Sequence, residues 1–311
     1  MNRELLIKTN PVDQKFKPIL NFLNVQNYDQ ALIEIQLLIK KYPNSSKAFN
    51  LQGIIQMSLN KYQKAKKSFQ KSFDLNNKYV DPLNNLGLIY FKEKKFKKSI
   101  YFYEKAISYN NKFTLAYLNL SVIYIENDDY KKAIKLLKQV ILIDKNSHLA
   151  FYNLFKIFIQ LNKIDLAIKN LKKAISIDRY QVNYLKDLGN TYIKMGKFKT
   201  GINYLMEYLE SYPNSTDVFT LIGLAKKFKE KDEILTKIFS IDPNSLTEQR
   251  KIDLYFTLGK IFYDLENYDK SFFYYEKANN LKEKLNPYDI ENDRKLLPII
   301  RRKFENKNKI E

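Results

Sequence analysis

The sequence predicts an all-α chain, an α-α superhelical solenoid of about eight helical hairpins closed by a C-terminal capping helix. Three observations lead there. Small residues recur at a fixed interval: Ala31, Ala65, Ser99, Ala133, Ala167 and Gly201 are each 34 residues apart, and a ring or aliphatic residue, from Tyr28 to Phe198, stands three places before each. Every interval holds two stretches with apolar residues at helical spacing, joined by a short polar turn. The 311 residues include only 7 Gly and 8 Pro, too few for a turn-rich β protein, while the abundant Lys, Leu, Glu, Gln and Ala favour helix.

In chain order, an N-terminal segment (1–11) precedes units at 12–45, 46–79, 80–113, 114–147, 148–181 and 182–215, a shortened unit at 216–251 and a full one at 252–285. The first unit departs most, with Pro18 and Ile19 near the place of the usual Leu-Gly pair. The third is the clearest. Asp81 can cap its first helix and Pro82 suits the first turn. Leu83, Leu86, Ile89 and Tyr90 give that helix a buried face, KEKK makes the turn, and Phe96, Ile100, Tyr103 and Ile107 do the same for the second helix. Helices of about 14 residues are marginal alone, so packing must hold them. Gly53, Gly87, Gly189, Gly223 and Gly259 all fall eighth in their units. A mid-helix glycine costs about 0.5–1 kcal/mol against alanine, so its repetition implies a close approach of two helix axes. Phe155 replaces this glycine in the fifth unit and predicts a wider pair there. The shortened seventh unit should disturb the path of the array. Residues 286–311 read as a capping helix broken near Pro298 and a polar tail.

Composition narrows the chemistry. With no Cys and one His, the chain has no disulfides, thiolate nucleophiles, Cys/His zinc sites or His-based triads. His148 reads as an exposed residue at a helix start, and Asp128-Asp129 as solvated turn carboxylates. No glycine-rich phosphate loop is present. The expectation is a protein without enzymatic activity, cofactor or metal. No run of roughly 20 apolar residues and no signal-peptide pattern occurs, so a cytoplasmic protein off the membrane is expected. The formal net charge is +20, yet only six basic residues are Arg, and Asn, Ile, Tyr and Phe are also abundant, a joint bias typical of an A/T-rich genome. The charge still favours acidic partners and makes association depend on salt.

Leu86-Gly87, Tyr90, Phe96, Ser99, Tyr103 and Ala106, repeated as Leu188-Gly189, Tyr192, Phe198, Gly201 and Leu205, together with the period and the prolines Pro43, Pro213 and Pro243, resemble the tetratricopeptide repeat. The resemblance covers about 12–285 and implies a superhelix whose first helices line a concave, ligand-carrying side. It implies a scaffold for a protein or extended peptide. On that side stand Asn85, Asn119 and Asn153, sixth in their units, with Asn50 and Asn84 one place earlier. An Asn amide offers both donor and acceptor to a peptide backbone. A similar ladder in the repeat region of protein O-linked N-acetylglucosamine transferases implies sequence-tolerant peptide binding. Phe91 and Ile125, with Ile54, Leu88, Val122 and Ile159, supply apolar parts. Lys186 and Asn190 reproduce half of the family's carboxylate clamp, but Leu221 and Asp217 in the next unit argue against a receptor for C-terminal carboxylates.

Lys61, Lys64, Lys95 and Lys98, with Lys132, Lys163 and Lys197, cluster at the hairpin-turn edge. They make either a solvated ridge or a surface for an acidic protein or, less readily, nucleic acid. The end of the array, FFYYEKANNLKEKLNPYDIENDRKLLPIIRRKF, resembles the junction that joins such repeats to a sulfotransferase domain in some bacterial proteins, although no sulfonucleotide-binding loop follows. That resemblance implies an alternative role, recruiting substrates for a sulfotransferase or glycosyltransferase activity.

Overall fold

The computed structural model describes residues 14–287 and Arg294. The N-terminal segment 1–11 and, apart from Asn286, Pro287 and Arg294, the capping segment 286–311 lie outside the described residues. Among the described residues there are sixteen α-helices and no strand. The chain divides into two compact units, Met1–Asp178 and Arg179–Glu311. In the first, five hairpins follow one another: α1 Lys17–Asn24 with α2 Tyr28–Lys41, α3 Ser46–Ser58 with α4 Tyr62–Leu75, α5 Asp81–Lys92 with α6 Phe96–Tyr109, α7 Thr114–Glu126 with α8 Tyr130–Ile143, and α9 His148–Gln160 with α10 Ile164–Ile177. Each second helix packs on the next hairpin's first helix, and α3, α5, α7 and α9 also touch in sequence. The second unit holds α11 Asn183–Lys194 with α12 Phe198–Ser211, the short α13 Thr216–Ala225 and α14 Glu233–Phe239, and α15 Glu248–Asp264 with α16 Tyr268–Leu285.

The hairpin turn repeats down to individual hydrogen bonds. In hairpin 3 the Lys94 N–H donates to the Phe91 carbonyl (2.9 Å) and the Lys95 N–H to the Tyr90 carbonyl (2.8 Å). This closure needs one residue in the left-handed region. That residue is Gln26, Asn60, Lys94, Asp128, Asn162, Gly196 or Glu266, with φ between 54° and 73°. Only one of the seven is glycine; Asn and Asp tolerate the conformation, whereas Lys94 adopts it at a cost of about 1 kcal/mol. Return to the next hairpin uses an Asx turn, as where Asn76 Oδ1 accepts from the Lys78 N–H at 3.1 Å and Asn110 Oδ1 from the Lys112 N–H at 3.0 Å.

Within a hairpin the two helices meet at the predicted small residues. Ala31, Ala65, Ser99, Ala133 and Ala167 have no exposed surface. A Cβ built on Gly87 would stand 2.6 Å from Tyr103 Cε1, and one on Gly53 only 2.5 Å from Phe69 Cε1. The side chain opposite Gly53, Gly87, Gly189 and Gly259 lies sixteen residues on, and in hairpins 2 to 6 that position forms the buried spine: Phe69, Tyr103, Leu137, Leu171 and Leu205 are at most 1 % exposed. Ser99 adds polarity without volume by donating its hydroxyl to the Gly87 carbonyl at 2.8 Å. In α11 and α12 the approach is backbone to backbone, since a Cβ on Gly201 would lie 2.7 Å from the Gly189 carbonyl oxygen.

Several expectations need correction. Phe155 does not widen its hairpin, for α9 and α10 share as extensive an interface as α3 and α4. Its ring is buried and stacks on Tyr152 (5.8 Å), while the residue opposite is Leu171 in place of a large ring. Asp81 is the first residue of α5 and makes no cap; Val80 occupies the N-cap. Burial pushes the Asp81 carboxyl above its usual range, against the pull of its own backbone hydrogen bond. His148 is half-buried, with Nε2 3.7 Å from Asp178 Oδ2. In the shortened seventh hairpin, α13 packs on α15. The aromatic that faces Gly223 comes from the following loop: Phe228 is 1 % exposed and lies 3.3 Å from a Cβ built on that glycine. Its N–H donates to the buried Asp264 carboxylate at 2.9 Å, which also pairs with Lys260.

Contact type therefore sorts the glycines. Gly201→Ala meets backbone and is expected to cost about 1–3 kcal/mol by forcing α11 and α12 apart. Gly223→Ala meets only a ring edge and is expected to cost less. Thermal unfolding of both variants provides the check, and equal losses would reject the backbone contact as the tighter constraint.

Candidate binding surface

The face shared by α3, α5, α7 and α9 carries the asparagines that the sequence places there. Their arrangement is a bonded ladder. Asn85 Nδ2 donates to Asn50 Oδ1 at 3.0 Å, and Asn119 Nδ2 donates to Asn84 Oδ1 at 2.8 Å. Each rung thus runs from the sixth residue of one hairpin to the fifth residue of the hairpin before it. Asn50 Nδ2 in turn donates to the Tyr79 hydroxyl at 2.9 Å. Burial, aided by the Asp81 charge, drives the pKa of that phenol well above its ordinary value, and the Asn50 bond only partly opposes the shift.

Two predicted contact residues change role as a result. Asn50 is 5 % exposed and Asn84 2 % exposed; both lie inside the array, engaged in joining hairpins rather than open to a ligand. Asn85, Asn119 and Asn153 are half-buried at the surface. An amide has two donor hydrogens and an acceptor oxygen, so the single bond made by Asn85 or Asn119 leaves capacity in hand. A third rung would run from Asn153 to the fifth residue of hairpin 4, which is Leu118. Leucine ends the ladder, and among the described residues Asn153 has no hydrogen-bond partner.

The apolar residues divide as well. Ile54 belongs to the core. Phe91 and Leu88 are half-buried and pack on the cluster around Phe69 and Tyr103, Phe91 also meeting Phe96 at 5.9 Å between ring centroids. Ile125 packs on the cluster around Leu137 and Leu154, and Val122 and Ile159 are half-buried. In the second unit Lys186 pairs with Asp217. Burial opposes its charge, but the hydrogen bond and charge of Asp217 outweigh this and raise the ammonium pKa. Its cation is therefore already matched, and Asn190 stands half-buried one turn further along α11.

The seven edge lysines are all exposed but differ electrostatically. Lys61, Lys95, Lys163 and Lys197 occupy the N-caps of α4, α6, α10 and α12 and cap nothing with their side chains. Asn27, Asp129 and Asn267 do cap theirs. Lys132 is tied to Asp129 at 2.8 Å and Lys98 lies over the Tyr90 ring at 5.6 Å. Glu93 bridges hairpins 2 and 3 by accepting from Lys66 at 2.6 Å and from Lys95 at 2.8 Å. The Lys66 bond first, then that of Lys95, holds its carboxyl below the usual range. Nothing within a single repeat marks Lys66 or Tyr79, because each acts across a hairpin boundary; the asparagine rungs alone are signalled, by the 35-residue offset between partners.

Among the described residues no three His, Asp or Glu side chains converge to hold a metal ion, and no helix is long and apolar enough to cross a membrane. Sequence models described as tetratricopeptide repeat match residues 46–79, 150–181 and 252–285, 90–154 and 187–215. No curated protein matches the sequence. Similar solved structures include PilW, described as a widely conserved type IV pilus biogenesis factor, with TM-score 0.55 and 19% identity over 75% of this chain and 100% of that one. The Cut9–Hcn1 hetero-tetramer of the APC/C gives TM-score 0.57 at 16% identity, covering 88% of this chain and 50% of the other. PilF of Pseudomonas aeruginosa gives 0.53 at 14%, covering 81% and 97%. At these identities the likeness speaks for the fold alone.

Two measurements follow from the geometry. A double-mutant cycle on Asn84→Ala and Asn119→Ala should show a coupling of about 0.5–1.5 kcal/mol, whereas Asn153→Ala should leave stability within about 0.5 kcal/mol. Independent effects at Asn84 and Asn119 would dismiss the rung. Glu93 stabilises the fold while ionised, so its contribution is present above the ordinary carboxylate range and disappears as pH falls towards its lowered value. Glu93→Gln should therefore melt earlier than wild type at neutral pH, the gap closing in acid; a gap independent of pH would contradict the ion pairs.

Proposed function

As the chain belongs to the tetratricopeptide-repeat family, we propose that it is a non-enzymatic interaction scaffold that holds an extended peptide against α5, α7 and α9 of its first unit. One observation carries this reading. Asn85, Asn119 and Asn153 present half-buried amides at 34-residue intervals with hydrogen-bond capacity left over, and Asn153 uses none of its own among the described residues. A half-exposed amide with no protein partner is free to exchange its water for a ligand that supplies a donor or acceptor. Extended peptides offer N–H and C=O groups along their whole length, whatever the side chains.

Leu88 and Val122 lie three residues after Asn85 and Asn119 on the same helices and are half-buried beside them. On α5 and α7 the resulting strip alternates amide with aliphatic, while the equivalent place beside Asn153 on α9 is the exposed Lys156. Peptide backbone flanked by small apolar side chains suits it better than a strongly charged segment. Recognition of a terminal carboxylate has no support, since Lys186 is matched by Asp217.

The test is a peptide-library screen against the wild-type chain and Asn153→Ala, with bound sequences measured individually. Asn153→Ala should weaken them about threefold to tenfold, the equivalent of one hydrogen bond, without altering the melt. Amidating the peptide C-terminus should change nothing. Affinities untouched by Asn153→Ala for every bound peptide would end the proposal.

A further inference from the structure

The basic edge is not a uniform ridge. At the turns of hairpins 2 and 3, NKYQKAKK (60–67) and KEKKFKK (92–98) bring nine lysines together with one glutamate. Contacts across the boundary show that the two turns adjoin. Lys66 reaches Glu93 at 2.6 Å, and Lys92 lies 5.6 Å above the Tyr62 ring. That glutamate is shared between Lys66 and Lys95, while Lys64, Lys94 and Lys97 are exposed and have no carboxylate partner among the described residues. The patch also ends abruptly. Hairpin 4 turns through Glu126, Asp128 and Asp129, of which Asp129 already neutralises Lys132. On the other side, the turn of hairpin 1 contains no lysine and is followed by Asp29.

We infer that the turn edge of hairpins 2 and 3 is a docking patch for a short acidic polypeptide segment, separate from the peptide-binding face of the first helices. So many like charges repel one another, and a polyanion laid across them relieves that repulsion. The helix N-termini of α4 and α6 point into the same edge with no side-chain cap, which adds partial positive charge. The footprint sets the length: adjacent helices stand about 8–10 Å apart, so two hairpins span about 20 Å, or about six extended residues. A longer uniform polyanion would run onto the carboxylates of hairpin 4.

The chemistry of the patch also favours polypeptide over nucleic acid. Its rings are engaged: Tyr90 stacks on Phe102 at 5.3 Å and has Lys66 and Lys98 at 4.6 Å and 5.6 Å from its centroid, and Tyr62 has Lys92 at 5.6 Å. Rings engaged in this way are poor platforms for base stacking. The cations are all lysine, point charges without the forked geometry that reads phosphate.

The experiment measures binding of a labelled (Asp-Glu)3 hexapeptide and of a DNA duplex to the full chain at low and moderate salt. Two triple variants keep net charge equal: Lys64→Glu/Lys94→Glu/Lys97→Glu in the patch, and Lys138→Glu/Lys145→Glu/Lys173→Glu elsewhere in the same unit. All six lysines are exposed, and circular dichroism confirms that both variants fold. The patch variant should lose peptide affinity at least tenfold and the distant variant no more than about threefold, the binding weakening with salt. Equal losses would reduce the effect to net charge and overturn the patch. So would absence of peptide binding at low salt, or a duplex that binds more tightly and with the same dependence on the patch.

Discussion

Everything in the molecule depends on how closely two helices can lie within one hairpin. The contact pairs a glycine, or another small residue, with a bulky residue sixteen positions later, and a smaller Ala, Ser or Gly lies between. Gly87 facing Tyr103 and Gly53 facing Phe69 show the arrangement: the ring occupies the space that a Cβ would need. Because the spine residues are almost wholly buried, each ring is fixed by its own hairpin and by the next one. No hairpin has a complete core by itself. Stability then resides in interfaces between neighbours, as one-dimensional arrays require.

Polar groups reinforce those interfaces without widening them. The asparagine rungs join hairpins 2 to 3 and 3 to 4, and the Lys66–Glu93 pair joins hairpins 2 and 3 at the turn edge. The same residue type does two jobs on one face: buried amides tie hairpins together, and half-buried amides remain able to bind something else. Where the fifth position becomes Leu118, the tie ends and the next amide is released. In the second unit, a buried carboxylate, Asp264, performs a related task by anchoring the loop that carries Phe228.

Most of the fold was legible in the sequence because its constraints are local and periodic. The contact at Ser99 and Gly87, the turn at Gly196 and the helix faces all follow from spacing alone. Features that cross hairpin boundaries were harder to see. Asn50 and Asn84 looked like ligand contacts because periodicity locates the helix face but not how deep on that face a residue sits. Phe155 is too large for its place only if its opposite, Leu171, and a ring's freedom to lie along its own helix are left out of account. At the seventh hairpin the period breaks, and nothing in the spacing says that a loop phenylalanine takes over the part of a helical one. The lysine edge was visible as a count, but its limits depend on Asp129 and Glu93 being placed against particular ammonium groups.

The left-handed residue at seven of the hairpin turns has a consequence for how such a protein can diversify. Because its backbone shape is enforced by the helices on either side, its side chain is directed outward and holds no part of the core, and Gln, Asn, Lys, Asp, Gly and Glu all serve. Each of those hairpins thereby carries an address label that can be rewritten one residue at a time. Selection can move a charge from one rung of the array to another while every buried atom stays where it was.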